Sequence, residues 1–187
     1  IIFSNAPYPP LAEQSVSPQP VKIGPYCEKP YSPTSYFHIS GMSYGALSPV
    51  AVKALSAGAK KAGCWLNTGE GGLSPYHLSG HCDVVFQMGT AKFGVRTKDG
   101  KLDESRLAEL GRHDSVKMFE IKLSQGAKPG KGGILPGIKV NQEIAEIRGI
   151  KVGEDAISPN RHPEISNNEE LLDFIDKVRT ITGKPTG

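Results

Sequence analysis

Apolar positions along the chain fall into short runs separated by segments of helical spacing, and this alternation begins at Tyr36. The runs from Tyr36 to Met42, Cys64 to Thr68, Val84 to Met88 and Val116 to Leu123 have the length and residue types of strands. The intervening segments carry helix boundary signals. Ser48 precedes Pro49 and an alanine-rich stretch that Gly63 stops, Asp103 opens a short helix to Gly111, and Asn141 opens another to Arg148 that Gly149 closes. Ser166 and Glu169 read as a capping box for a helix reaching Ile181, with Leu171, Leu172, Phe174, Ile175 and Val178 as its apolar stripe. The stretch between the second and third runs contains Pro75 and Gly80 and predicts no helix. Such alternation predicts an α/β domain with a parallel sheet. Four strands make either an open sheet or about half of an eight-stranded (β/α) barrel.

Residues 1–35 break this pattern. They hold eight of the fifteen prolines and no sustained periodicity, which predicts an extended lead-in wrapping a core formed by residues 36–187. Glycine and proline together make up about 20% of the 187 residues, above the background of roughly 12%, so long shaped loops are expected. The chain starts with Ile1 rather than a methionine, which suggests that it was excised from something longer. Its 22 basic and 19 acidic residues are interspersed, giving +3 without a run of like charge, and this argues against nucleic-acid and polybasic membrane partners. No stretch is long and apolar enough to span a bilayer. Cys27, Cys64 and Cys82 form no CxxC pair, so a reducing, cytoplasmic setting fits better than a disulfide framework.

Candidate chemistry sits at the carboxyl ends of the strands. In the fourth run, alternation puts Met118, Glu120 and Lys122 on one face and Phe119, Ile121 and Leu123 on the other. A parallel strand covered on both sides should be apolar on both, so the charges mark either a polar site or an internal ion pair. Ser40, Met42 and Ser43, then Asn67 and Thr68, then Gln87 occupy the other strand ends, and ligands of such sheets bind there. Glycine-rich loops follow at 69–72 and 126–133, and their backbone N–H groups, with Lys128, could cradle an anion. Neither loop matches a P-loop or a dinucleotide fingerprint. His77 and His81 have a spacing that binds metal on a helix, but Pro75 and Gly80 favour loop hydrogen bonds instead, and no metal site is assigned. Ser43 and Ser124 lack the GxSxG setting of a hydrolase nucleophile.

Taken together, SGMSYGALS at 40–48, NTGEGG at 67–72 and EIKLSQGAKPG at 120–130 resemble the flavin-binding domain of glutamate synthase and its shorter bacterial and archaeal relatives. ISPNRH at 157–162 extends the likeness, which covers about residues 22–187. The resemblance implies the first half of an FMN-binding (β/α)8 barrel. It also implies the activity: hydride from reduced FMN converts 2-iminoglutarate, formed from 2-oxoglutarate and ammonia, to L-glutamate. The ammonia would be free or derived from glutamine. Electrons would arrive from an NAD(P)H-linked subunit or ferredoxin through an iron-sulfur cluster whose cysteines are not in this chain. Met42, Ser43, Asn67, Gln87 and Lys122 correspond to flavin contacts, and Lys122 would stabilise the charge of reduced flavin. Glu70, Lys128 and Arg148 correspond to substrate contacts, the two cations suiting the carboxylates of 2-oxoglutarate and Glu70 the nitrogen. Lys122 and Glu70 are thus the candidate catalytic pair. Ile134 stands where the large glutamate synthases carry glutamine.

The same residues admit two other functions. A relative using methylamine would make N-methylglutamate by the same chemistry. A half-barrel could alternatively be a non-catalytic assembly module whose open sheet edge pairs with a missing C-terminal half or a second copy.

Overall fold

The computed structural model describes residues 7–14, 19–128 and 130–187. Part of the lead-in, residues 1–6 and 15–18, and Pro129 of the glycine-rich loop lie outside them. The elements in order are α1 (Pro49–Ala62), β1 (Leu66–Asn67), α2 (Pro75–Leu78), β2 (Val84–Met88), α3 (Glu104–Gly111) and β3 (Val116–Ile121), followed by β4 (Ile134–Leu135), α4 (Gln142–Arg148), β5 (Ala156–Ile157) and α5 (Asn168–Thr182).

The β1, β2 and β3 strands form a parallel sheet in chain order, with a register shift at Val84/Val85. Single parallel bridges extend it on both sides, Ile39 to Leu66 and Phe119 to Thr186. The domain is therefore α/β, wound in one direction from each strand to the next. Chain order without reversal is also how a closed barrel winds.

Helix boundaries follow local chemistry. Ser48 caps α1 by accepting from Ala51 N, Asp103 caps α3, and Asn141 caps α4. Gly63 and Gly149 end α1 and α4 with φ of 66° and 70°, the left-handed conformation that costs glycine least.

Several elements depart from the sequence expectation. The run from Tyr36 to Met42 forms only one bridge, because Tyr36 and Phe37 are exposed and Ser35 closes a tight turn onto Phe37. The β3 strand stops at Ile121, and Leu123 is exposed beyond it. A short helix, α2, occupies the stretch expected to lack one. There Pro75 sits in the first turn, where its missing N–H costs nothing, and Ser74 and His77 form a capping box with imidazole in the place of a carboxylate. The cap of α5 is Asn167, which accepts from Glu170 N at 2.9 Å, while Glu170 accepts from Ser166 N at 2.6 Å. The box therefore lies one residue beyond the Ser166 and Glu169 pair. In the α5 stripe Phe174 and Val178 are buried but Leu172 is exposed. The antiparallel pair of β4 and β5 had no sequence signal.

One face of the sheet packs Phe86, Met88, Val116 and Phe119 against α3 and α5, and α1 covers Leu66, Val84 and Cys82. The lead-in crosses the amino ends of the strands. Tyr31 is buried and its hydroxyl donates to Asp83, Lys29 N donates to Gly183 O at 2.8 Å, and Gly24 lies against Pro185.

Candidate functional site at the strand tips

The second face of the sheet is polar at its carboxyl end. Asn67 at the end of β1, Gln87 in β2 and Glu120 in β3 form one cluster. Glu120 Oε1 accepts from Asn67 Nδ2 at 2.9 Å and from Gln87 Nε2 at 2.5 Å. Asn67 is buried, and its Oδ1 accepts from Gly69 N, so the side chain also shapes the turn that follows β1.

Glu120 and Lys122 share a face as the alternation predicts, but they do not pair with each other. Lys122, one residue past β3, reaches Glu70 Oε2 at 2.9 Å and donates to Gln125 Oε1 at 3.0 Å. Gln125 Nε2 bridges both oxygens of Glu70 at 2.8 and 2.7 Å, and Ser158 Oγ donates to Oε1 at 3.2 Å. The Glu70 side chain is 17% exposed and its four acceptor positions are filled. Glycines make this approach possible. A Cβ on Gly89 would lie 2.7 Å from Glu70 Cβ, and one on Gly133 would lie 2.9 Å from Glu70 Oε1.

Met42 and Ser43 lie beside this cluster. Met42 N donates to Asn67 O at 3.1 Å, and Gly69, with φ of 65°, is pressed against Ser43 so closely that a Cβ would lie 2.4 Å from its hydroxyl. His77 is fully buried. Its Nδ1 accepts from Ser74 N, so its Nε2 carries the proton and donates to Met42 O at 2.8 Å. Burial holds the His77 pKa below the usual imidazole value. His77 is buried whereas His81 is exposed, and among the described residues no group of three His, Cys, Asp or Glu is arranged to hold a metal. The Cys64 and Cys82 thiols are core groups, and burial pushes the Cys82 pKa up, so they do not suit cluster ligation.

Arg148 is 5% exposed beneath the Tyr44–Gly45 turn. Its Nη2 donates to Tyr44 O at 3.2 Å, its guanidinium lies 5.0 Å over the Phe93 ring, and its Nε has no partner among the described residues. Burial lowers its pKa, opposed by the nearby Glu70 charge. Lys128 is exposed on the glycine-rich loop, where its N–H closes a turn on Gln125 O. Glu70, Lys122, Asn67 and Gln87 are thus brought together, Met42 and Ser43 flank them, and Arg148 borders Gly71, whereas Lys128 stands apart at the surface. Gln125 and Ser158 were not foreseen, since nothing in their local pattern distinguishes them. A cavity of about 860 Å³ lined by Lys92, Lys101, Glu164, Phe174 and Lys177 shares none of these residues.

A family model described as the conserved region in glutamate synthase matches residues 12–186. The chain belongs to that family. Among glutamate synthase relatives, it is 48% identical over 162 residues to the glutamate synthase large subunit-like protein YerD of Bacillus subtilis (strain 168), covering 86% of this chain and 31% of that protein. It is 38% identical over 150 residues to the archaeal-type glutamate synthase (NADPH) of Thermotoga maritima, covering 79% and 27%. It is 36% identical over 159 residues to the ferredoxin-dependent glutamate synthase of Cyanidium caldarium, covering 79% and 10%. The chain therefore spans a third or less of the length of these curated relatives. No described helix is long and apolar enough to cross a membrane.

Proposed function

We propose that this chain supplies the first half of an FMN-dependent (β/α)8 barrel that reduces 2-iminoglutarate, formed from 2-oxoglutarate and ammonia, to L-glutamate. The observation that carries the reading is the Lys122–Glu70–Gln125 cluster at the tips of sequentially wound parallel strands, in a glutamate synthase family chain. The remaining strands would come from sequence outside this chain or from a second copy, adding beyond Thr186 and Ile39.

The residues present fit a flavin. Amide donors on Asn67 and Gln87 and the Lys122 ammonium line one face, and Gly41 keeps the first strand tip clear, since a Cβ there would come within 3.2 Å of Gly69 Cα. FMN, when bound, supplies the hydride. Lys122 then places a positive charge, oriented by Glu70 and Gln125, where negative charge develops. Arg148 and Lys128 are the cations for the two carboxylates of 2-oxoglutarate, with Arg148 held by burial and Lys128 exposed on its loop. Because the acceptor positions of Glu70 are filled, it can accept from the substrate nitrogen only by releasing Lys122, Gln125 or Ser158. Substrate arrival thereby exchanges one of these three donors for the substrate nitrogen. Cys64 and Cys82 are buried core groups that would not hold an iron-sulfur cluster, so an electron donor such as an NAD(P)H-linked subunit or ferredoxin, and any cluster, would belong to parts of the enzyme other than these residues.

The test is the complete protein loaded with FMN. Its reduced flavin should reoxidise only with 2-oxoglutarate and ammonia together, and Lys122→Met should slow this at least tenfold. Reoxidation indifferent to 2-oxoglutarate would end the proposal. Methylamine in place of ammonia separates glutamate from N-methylglutamate synthesis.

A further inference from the structure

The segment Ser158 to Glu164 (SPNRHPE) connects β5 to α5 without regular structure of its own, yet it is anchored at four points to the strand-tip loops. Ser158 Oγ donates to Glu70 Oε1 at 3.2 Å. Pro159 O accepts from Thr90 Oγ1 at 2.6 Å. His162 lies against the Lys122 carbonyl, with Nε2 to O at 2.9 Å. Glu164 pairs with Lys92, which is 2% exposed, at 2.9 Å. The anchors land beyond the tips of all three sheet strands, Glu70 after β1, Thr90 and Lys92 after β2 and Lys122 after β3.

The His162 contact replaces a missing sheet hydrogen bond. Lys122 N still donates to Met88 O, but β2 ends at Met88, so the ladder provides no further donor for the Lys122 carbonyl. His162 supplies it. Facing a carbonyl, Nε2 must carry the proton, which leaves Nδ1 as a bare acceptor, and that atom is buried with no partner among the described residues. A side chain 1% exposed that leaves one nitrogen unpaired is a poor choice for filling space. The ring also packs on Phe174, with centroids 5.7 Å apart, but its one side-chain hydrogen bond is to the Lys122 carbonyl, and burial, which lowers its pKa, favours the neutral form.

We propose that residues 158–164 form a positioning strap that fixes the Lys122–Glu70 pair, with His162 holding the backbone of Lys122 and Ser158 orienting the carboxylate of Glu70. Neither residue touches the reacting atoms. Both act by setting where the ammonium and carboxylate sit, and small displacements of such groups carry large rate costs. The strap rests on the reading of Lys122 as facing the flavin.

The test uses the complete FMN-loaded protein with His162→Leu, His162→Gln and Lys122→Met. Three quantities are read: the FMN dissociation constant, the flavin midpoint potential, and amide hydrogen exchange of residues 122–125. In glutamine the amide nitrogen lies where Nε2 lies, so His162→Gln should match the parent in all three. His162→Leu should weaken FMN binding by up to roughly tenfold, a ceiling set by the one hydrogen bond lost, shift the potential to more negative values and speed exchange at 122–125. A residue that only supports the fold would lower stability without moving the potential. Equal behaviour of the leucine and glutamine variants, or a leucine variant like the parent, overturns the strap. If His162→Leu does not fold, His162→Asn replaces it, because its amide stops short of the carbonyl and must behave unlike glutamine. An unchanged flavin in Lys122→Met would instead sink the flavin reading, and the exchange data would still judge the strap.

Discussion

Removing the Glu70 carboxylate should destabilise the chain more than removing its cationic partner, and the two losses should not add. Glu70 accepts from Lys122, twice from Gln125 and from Ser158, so Glu70→Leu strands three donors. Hydrogen bonds to a charged group contribute about 1.5–3 kcal/mol each, but Lys122 is 28% exposed and can regain water. The expected cost is therefore about 2–4 kcal/mol, below the simple sum and within the range for breaking a partly buried pair. Lys122→Met leaves Gln125 and Ser158 still donating to Glu70, and should cost about 1–2 kcal/mol. In the double variant the stranded ammonium is gone, so its loss should fall short of the summed singles by about 1–2 kcal/mol, the size seen for groups in direct contact. Urea denaturation at neutral pH measures this, with Trp65, the only tryptophan, as fluorescent reporter. It stacks on His38 with ring centroids 3.2 Å apart, close to β1. Equal denaturant slopes across the four proteins make the comparison valid. Additivity within about 0.3 kcal/mol would show that the pair is not energetically coupled and would refute the reasoning.

Stability should fall as pH drops below about 6.5. Burial lowers the pKa of His77 and His162 from 6.5, so below that value the unfolded chain binds protons the folded chain refuses, and the folded state loses ground. Urea midpoints between pH 7.5 and 5 in the parent and in His77→Gln and His162→Gln would check this, each variant flattening the slope. Gly69→Ala should cost more than 1 kcal/mol by the same assay, since it sets alanine at positive φ with its Cβ on the Ser43 hydroxyl. Asn167→Ala should cost about 1 kcal/mol in thermal or urea unfolding, with Ser166→Ala near neutral because it supplies only a backbone N–H to the cap. The reverse order would restore the capping box at 166 and 169. Glu164→Ala should be severe, about 3 kcal/mol or more, because it strands the buried Lys92 ammonium.

What could be read from the sequence was what is decided locally. The boundaries of α1, α3 and α4 followed from caps and stop glycines within a turn of each helix end, and the two faces of β3 followed from its alternation. The α2 helix was missed because its cap uses a histidine, and the edge strand shrank because Ser35 bends the chain before it. At the site, strand-tip placement was legible for Asn67, Gln87, Glu120 and Lys122, but choice of partner was not. Lys122 meets Glu70 across 52 residues of chain, and Ser158 meets it across 88. Such pairings depend on how loops fold back over the strand tips, which no local spacing encodes. Arg148 was legible as a cation at a helix end, while its burial under Tyr44 was decided by packing.

The seating of residues 23–31 sets an order of events for the growing polypeptide. Each strand of the sheet pairs with the one made just before it, so βα units can settle in sequence as they leave the ribosome. Residues 23–31 cannot complete their seat in that order. Lys29 waits for the Gly183 carbonyl and Gly24 for Pro185, more than 150 residues later. Residues 23–31 are therefore made well before the partners they dock on, and they close over the base of the sheet only once α5 has folded.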